Sequence, residues 1–428
     1  MASPIQFTVS HRCRTTHARS GAVTTPHGSF DTPAFMPVGT RGAIRGLTPE
    51  QILQTGSQII LNNAYHLLLR PGDELIARRG GVHRFMRWDG PVLTDSGGYQ
   101  AYSMADINAI DEDGVTFKSI VDGATVHLGP ERSMQVQNNL GADIIMTFDD
   151  CPAAVDPVTL NESRKRLAAS WEEKDAGAGP SPEEYRQRLR IAHERTIRWL
   201  ERCVAAHARP DEQALFGIVQ GGTDPDLRRK SVEAICSIDL PGYAIGGVAV
   251  GEGPETIRSV VELTAPLLPE DKPRYLMGVG YERDLVMAVR AGVDMFDCVL
   301  PTRNGRNANV FTSNGPLHLR NAAYAEDDAV IDSSCDCHCC GGGFSRAYLR
   351  HLFLAKEMLG PILASLHNIR HFQRLMVDIR RAIREDDWSL LFRARPDLAE
   401  VEISPSAPSG SEDSDHHQSP TGSQSCMN

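Results

Sequence analysis

Eight short apolar runs, each ending in a polar or glycine-rich turn, recur along this chain and restrict its fold more than any other feature. They are Pro33–Val38, Gln58–Leu61, Pro91–Thr94, Asp143–Phe148, Leu215–Val219, Tyr243–Ile245, Tyr275–Met277 and Val293–Phe296. Runs of strand length that are apolar almost throughout suit parallel strands covered on both faces. Helix-like segments lie between most of them. Examples are Glu131–Leu140, Pro225–Cys236, Pro254–Leu263 and Glu282–Ala291, the last with Leu285, Val286 and Val289 on one face. Eight strands with intervening helices predict an α/β fold, a (β/α)8 TIM barrel. A doubly wound open sheet is the structural alternative.

A barrel of this kind carries its chemistry at the C-terminal ends of its strands. The residues standing there are suggestive. Asn62 and Asn63 follow the second run, and Asp95, Ser96, Gly97 and Gly98 the third. Asp149, Asp150 and Cys151 close the fourth, and Gln220, Gly221 and Gly222 follow the fifth. Gly246 and Gly247 follow the sixth, Gly278 and Gly280 the seventh, and Asp297 the eighth. Carboxylates, an amide and backbone-exposing glycines thus converge on one rim.

The last of these ends is the richest. In Val293 to Arg306 the apolar run gives way to Asp297, Pro301 stops regular pairing, and Thr302, Arg303, Asn304, Gly305 and Arg306 form a short basic loop able to hold an anion. The bland alternative is a capping aspartate and two solvated arginines. Asp95 and Asp297 are the candidate catalytic pair. Two carboxylates across a sugar can cleave a glycosidic bond, one attacking the anomeric carbon and the other moving protons. The structural alternative is a pair of strand-end acids bonded to backbone amides. Asp149, Gln220 and the glycines around Gly247 offer acceptors and donors in the pattern that a planar heterocycle needs. Tyr99 and Met277 are placed to sandwich its faces.

Charge bounds the partners. The 428 residues carry a net charge of −11, which taken whole argues against a nucleic-acid binder. The charge is uneven, however. Phe344 to Pro396 holds ten Arg or Lys against five acids, whereas the stretch beyond Pro396 holds six acids and no base. Four of the ten cysteines fall within Cys335 to Cys340, and the others are scattered singly. That pattern is no disulfide framework and reads as a reduced, cytoplasmic chain with one metal cluster. Three thiolates and a histidine would close a structural zinc shell. His367, between two expected helices at Ser345–Leu359 and Asn368–Arg384, is the better fourth ligand, with His338 and Cys339 as competitors. The first of those helices carries Leu349, Leu352, Phe353 and Leu359 on its apolar face. No signal peptide and no membrane span is expected.

The domain plan is therefore one barrel over 1–401. It is interrupted by a hairpin about Asp122-Gly123, a charged helical insertion at 161–203 and a metal-binding helical region at 330–385. The segment 402–428, rich in Ser, Pro, Gly and acids, reads as disordered.

Several stretches resemble the tRNA-guanine transglycosylase family. They are DSGGYQ at Asp95–Gln100, FDDC at Phe148–Cys151, FGIVQGG at Phe216–Gly222, AIGGVAVGE at Ala244–Glu252, YLMGVG at Tyr275–Gly280, MFDCVLPTRNGR, and the cysteine cluster followed by SRAYLRHL. The resemblance runs in order from about Phe7 to Arg384. It implies a (β/α)8 barrel with a zinc-bearing insertion, a cytoplasmic homodimer, and exchange of guanine at the first anticodon position (34) of certain tRNAs for a 7-deazaguanine. By position it implies Asp297 as the nucleophile on ribose C1′ and Asp95 as general acid/base. Asp149, Gln220 and Gly247 become the base-recognition set, with Ser96, Gly97, Gly98, Tyr99 and Met277 around it. Gly278, Val279, Gly280, Tyr281, Glu282, Arg283 and Asp284, with Thr302 to Arg306, become the RNA-contacting loops. Cys335, Cys337, Cys340 and His367 match the zinc ligands.

Val250 and Cys151 resemble the bacterial pattern, in which a filled pocket wall admits the small aminomethyl base preQ1 rather than bulky queuine. Three departures stand out. GGGF between Cys340 and SRAYL is one residue longer than the family pattern, Asp150 stands where the bacterial pattern often has Glu, and Asn161–Arg190 is added. A non-catalytic homologue would lack the two aspartates. A glycoside hydrolase on the same barrel would leave the basic loop and the zinc region without a role.

Overall fold

The computed structural model describes residues 3–99, 108–152, 181–249 and 253–398. The expectations for Val250 to Glu252, for the first part of the insertion and for the acidic stretch 402–428 lie outside these residues.

The apolar runs form eight parallel strands: β1 Ala34–Gly39, β2 Ile60–Asn62, β3 Val92–Thr94, β4 Ile144–Met146, β5 Ala214–Val219, β6 Gly242–Ile245, β7 Arg274–Leu276 and β8 Met295–Cys298. They pair in chain order, β8 closes on β1, and the sheet is a closed barrel. Closure removes the open-sheet alternative. Met36, Leu61, Leu93, Met146, Phe216, Ile218, Tyr275 and Met295 fill the interior, so the barrel is a packed core rather than a pore.

A three-stranded antiparallel sheet, Gln6–Arg12, Arg19–Thr25 and Gly28–Thr32, was not apparent from the sequence. Ile5, Val23 and Phe30 join the barrel's interior cluster. The sheet sits at the N-terminal strand ends, because Arg19 pairs with Asp294 just before β8 (2.6 Å) and His27 with Asp143 just before β4 (2.8 Å). It closes the floor and leaves the opposite rim open.

Other expectations are met or corrected. The hairpin forms at Val115–Lys118 and Thr125–Leu128, with Asn108–Ile110 as a third strand. Within the insertion, Pro182–Ala206 is a helix started by a Ser181–Glu184 capping box. The supposed basic loop is instead a helix, Leu300–Arg306, with Pro301 in its first turn, where the ring removes no needed donor. Gly305 lets this helix touch its neighbour, since a Cβ there would lie 2.8 Å from the backbone nitrogen of Ser365.

The two C-terminal helices break earlier than expected, giving Arg346–Leu354 and Leu359–Glu385. The first ends at Ala355, and Lys356 follows with φ 59°. Pro361 falls in the first turn of the second helix, where it is tolerated. A stripe from Leu363 through Ile369, Phe372, Met376, Ile379 and Ile383 drives one continuous element. His367 therefore lies inside a helix rather than between two. Leu349, Leu352 and Phe353 are buried as expected, but Leu359 starts the next helix and is 39% exposed.

Candidate active site

The open rim holds a cavity of about 610 Å³ whose lining includes Asp95, Asp149, Gln220, Gly247, Met277 and Asp297, with Ser96, Tyr99, Cys151 and Arg303. Strand ends from β3 to β8 contribute. That follows from the fold, because parallel strands all deliver their C-terminal turns to the same rim.

Asp297 stands on the last turn of β8. Tyr275 Oη, from the neighbouring β7, donates to its Oδ1 at 2.6 Å, and Gly278 N donates to the same oxygen at 2.8 Å. No other described residue donates to Oδ2, so that oxygen keeps its lone pairs for a reaction partner. Burial pushes the Asp297 carboxyl above the usual range, while these two donors pull it back. Burial, and then the Asp297 charge, raises the Tyr275 phenol well above its usual value, so Tyr275 remains an O–H donor.

Asp95 follows β3. Ala64 N donates to its Oδ1 at 2.7 Å, and Asn63 Nδ2 donates to its Oδ2. These donors orient the carboxylate from the turn after β2. The charge of Asp95 also acts on Tyr275, which places both carboxylates on one small site.

Asp149 follows β4 and is buried. Gln220 Nε2 donates to its Oδ2 at 2.6 Å, and Ser96 Oγ reaches its Oδ1 at a long 3.5 Å. Burial raises this carboxyl to about 7, with the Gln220 bond opposing and the Asp150 charge adding to the rise. Gln220 is held from behind by Ser231 Oγ on its backbone N (3.0 Å), while its buried Oε1 has no hydrogen-bond partner among the described residues. A buried orphan acceptor beside a buried carboxylate awaits a donor. Only glycine fits at 247, where φ is +64° and a Cβ would lie 2.3 Å from Gln220 Oε1. Tyr99 and Met277 both line the cavity, as a sandwich for a flat ring requires.

The RNA-contacting set is divided by the structure. Tyr281 is 61% exposed, and Arg303 is exposed and lines the cavity. Glu282 instead turns inward to His371 (2.6 Å) and Arg395 (2.8 Å), and Asp284, Thr302 and Gly305 are buried. Arg283 pairs with Glu255 at 2.9 Å. Arg306 feels the charges of Arg45 and Arg303, which with burial lower its pKa. Like charges this close to one another favour an anion beside them. Arg45 was missed because it lies far from the basic stretch in sequence.

The second site is the cysteine cluster. Ligand atoms of Cys335, Cys337, Cys340 and His367 lie within 4.8 Å of one another, and all four residues are buried. His367 Nδ1 is 3.5 Å from Cys337 Sγ and 3.3 Å from Cys340 Sγ. Its Nε2 lies 2.7 Å from the Phe311 carbonyl, which sets it as the N–H and leaves Nδ1 as the ligating nitrogen. The group can coordinate a metal ion. Cys339 falls outside it and packs into the apolar cluster with Leu349 and Leu352.

Sequence reading also passed over Tyr275, and it placed Asn63 at a strand end without giving it a role. A tyrosine within an apolar strand, one residue before its end, was the available signal for the first.

A closed parallel barrel with two rim carboxylates, a buried amide–carboxylate pair and crowded arginines defines a class. It is a (β/α)8 enzyme that handles a glycosidic bond beside a bound planar base. The family model for queuine tRNA-ribosyltransferase matches residues 13–175 and 175–396. A queuine tRNA-ribosyltransferase of Thermus thermophilus is 51% identical over 382 residues, covering 89% of this chain and 91% of its own. Those of Synechococcus elongatus (48% over 381 residues, 89% and 92%) and Streptococcus gordonii (48% over 398 residues, 93% and 96%) are similar. The chain belongs to the queuine tRNA-ribosyltransferase family, in its bacterial form, and is a base-exchanging, tRNA-modifying transglycosylase. No helix among the described residues is long and apolar enough to cross a membrane.

Proposed function

We propose that this enzyme exchanges guanine at position 34 of its tRNAs for the 7-deazaguanine preQ1 through a covalent enzyme–RNA intermediate. The observation that carries this reading is Asp297, whose Oδ1 is bonded by Tyr275 and Gly278 while Oδ2 is left for attack.

Asp297 attacks ribose C1′, the bond from C1′ to guanine N9 breaks, and the departing base takes a proton from Asp95. Asp95 then removes a proton from preQ1, whose nitrogen attacks C1′ and displaces Asp297. One glycosidic bond is broken and one is made, so no external energy source is needed. The base must leave the RNA stack to reach the cavity. Asp149 and Gln220 meet its edge, and Arg45, Arg303 and Arg306 meet the flanking phosphates. Contacts of that kind weaken as salt rises.

The donor set at Cys335, Cys337, Cys340 and His367 fits zinc, for which three thiolates and one imidazole make a closed tetrahedral shell. Bound there, zinc would fasten the cysteine loop to the long helix and take no part in the reaction. The same region offers a face for a second copy of the chain. Phe344, Tyr348 and His351 stack in a row, and Leu354 (52%), Met358 (79%) and Leu359 are exposed beside them. An apolar patch of this kind supports a homodimer.

The test is incubation with labelled guanine and a tRNA bearing guanine at position 34. Label should enter the RNA, and preQ1 should compete more strongly than queuine. Free guanine released without incorporation would make the protein a hydrolase, and no reaction would make it a non-catalytic homologue. Preference for queuine would overturn the choice of base.

A further inference from the structure

A guanidinium is buried directly behind the wall of the base site. Arg228 rises from the helix Pro225–Cys236, is 0% exposed, and does not itself line the cavity. Its Nε donates to Gly222 O (2.8 Å), its Nη1 to Val219 O (3.1 Å) and Gly246 O (2.8 Å), and its Nη2 to Gly247 O (3.2 Å). One rigid fork therefore fastens the turns that follow β5 and β6, which Gly246 N also joins by donating to Val219 O at 3.0 Å.

This grip sets the direction of two peptides. The only cis bonds among the described residues are Thr32-Pro33 and Arg70-Pro71, so the 246–247 and 247–248 peptides are trans. In a planar trans peptide the C=O and the N–H point to opposite sides. The carbonyls of Gly246 and Gly247 point back to Arg228. The N–H groups of Gly247 and Val248 therefore point forward, and both residues line the cavity. A carbonyl that accepts from a cation also polarises its own peptide, so the opposite N–H becomes a better donor.

We propose that Arg228 is a positioning residue for base selection, which aims and polarises the Gly247 and Val248 N–H groups as a receptor for the ring carbonyl of a guanine-type base. This inference rests on the base-exchange reading and adds how the base is chosen. A base with an amino group in place of the carbonyl sets donor against donor there, and a site built for an acceptor rejects it. Lysine cannot replace the residue, because an ammonium has no planar fork to hold carbonyls from two turns at once.

The experiment uses full-length, zinc-loaded Arg228→Lys and Arg228→Gln in the labelled-guanine exchange assay, with 2-aminopurine, which lacks the carbonyl, as a competing inhibitor. In Arg228→Lys the KM for guanine should rise about tenfold or more, as expected for a misdirected donor pair. The KM for tRNA and the 2-aminopurine inhibition constant should each change less than about twofold. Arg228→Gln, which also loses the cation, should be at least as impaired toward guanine. An unchanged guanine KM in either variant would overturn the proposal. Equal weakening of guanine and 2-aminopurine would also overturn it and leave Arg228 a packing role. A crystal structure of the wild type with guanine bound reads the same point without any variant. Both N–H groups should face the base carbonyl, and a carbonyl turned elsewhere contradicts the proposal. If the wild type incorporates no guanine, the base-exchange reading itself has failed, which is a different result.

Discussion

The barrel rim and the cysteine cluster each gather a few polar groups into a small volume, but by opposite means. The rim draws Asp95, Asp149, Gln220 and Asp297 from four strands spread over about half the chain, and barrel closure brings them together. The three carboxylates are held by neutral donors, Gln220 is itself the donor to Asp149, and all four residues line the cavity. The cluster draws three of its four groups from one six-residue stretch, and only His367 comes from another element. Its four groups point at one another and leave nothing open. The difference teaches that rim residues are replaceable without loss of fold, since the barrel core places them. Cluster residues are not, since their mutual coordination holds the surrounding segment in place.

The sharpest break of that comparison is Cys337→Ser. Structural zinc contributes roughly 10–16 kcal/mol of apparent binding free energy at neutral pH, which equals or exceeds the ~5–15 kcal/mol net stability of a folded domain. We expect metal content below one per chain, an early unfolding transition and loss of the helical region around Arg346–Leu354. Full metal occupancy in this variant, by elemental analysis, would remove Cys337 from the shell.

Tyr275→Phe should do the reverse, sparing the fold and changing the chemistry. The Tyr275 hydroxyl helps keep Asp297 ionised, so without it the carboxyl rises further and the acid limb of kcat moves to higher pH. A hydrogen bond to a charged group is worth about 1.5–3 kcal/mol, so the limb should move by about one unit or more. The rate should drop more at pH 6 than at pH 8.5. A parallel loss at both pH values would assign Tyr275 to packing alone.

The smallest effect separates binding from catalysis within the rim. Burial lifts Asp149 to about 7, so below that pH it is protonated and ceases to be a pure acceptor. The KM for guanine should rise as pH falls from 8 to 6, and Asp149→Asn should flatten that dependence. Stability runs the other way. The native state holds this proton more tightly than the unfolded chain, whose Asp titrates near ~3.9. Stability from this group is therefore present at low pH and declines as pH rises through about 7. Calorimetric scans across that range, with and without Asp149→Asn, measure the decline.

The same contrast explains what could be read in advance. The eight strands were legible because buried parallel strands are apolar runs with marked ends, but their number left an open sheet possible until the last strand was seen to pair with the first. The strand-end carboxylates were legible for the same reason. The floor sheet was not, because Gln6–Arg12 and Arg19–Thr25 mix exposed and buried residues with little net apolarity. The helix Leu300–Arg306 looked like a loop because Pro301 and Gly305 discourage helix in isolation. Here the first is harmless in the opening turn, and the second is needed for contact with Ser365. The break before the long helix was misplaced because the chain turns at Lys356 in the left-handed region, which a lysine does not announce in sequence. Tyr275 and Arg228 act through geometry across strands, which spacing along one strand does not reveal.

Trapping of the covalent intermediate tests the central claim most directly. Enzyme is incubated with tRNA bearing guanine at position 34, quenched in denaturant and run on a denaturing gel, for the wild type and for Asp297→Asn. The amide keeps the shape and the Tyr275 and Gly278 donors but is no nucleophile. The wild type should give a protein–RNA adduct, and the variant none, with an unchanged unfolding temperature and metal content. An adduct of normal yield from Asp297→Asn would contradict the assignment and move the attacking group elsewhere on the rim, with Asp95 the first to examine.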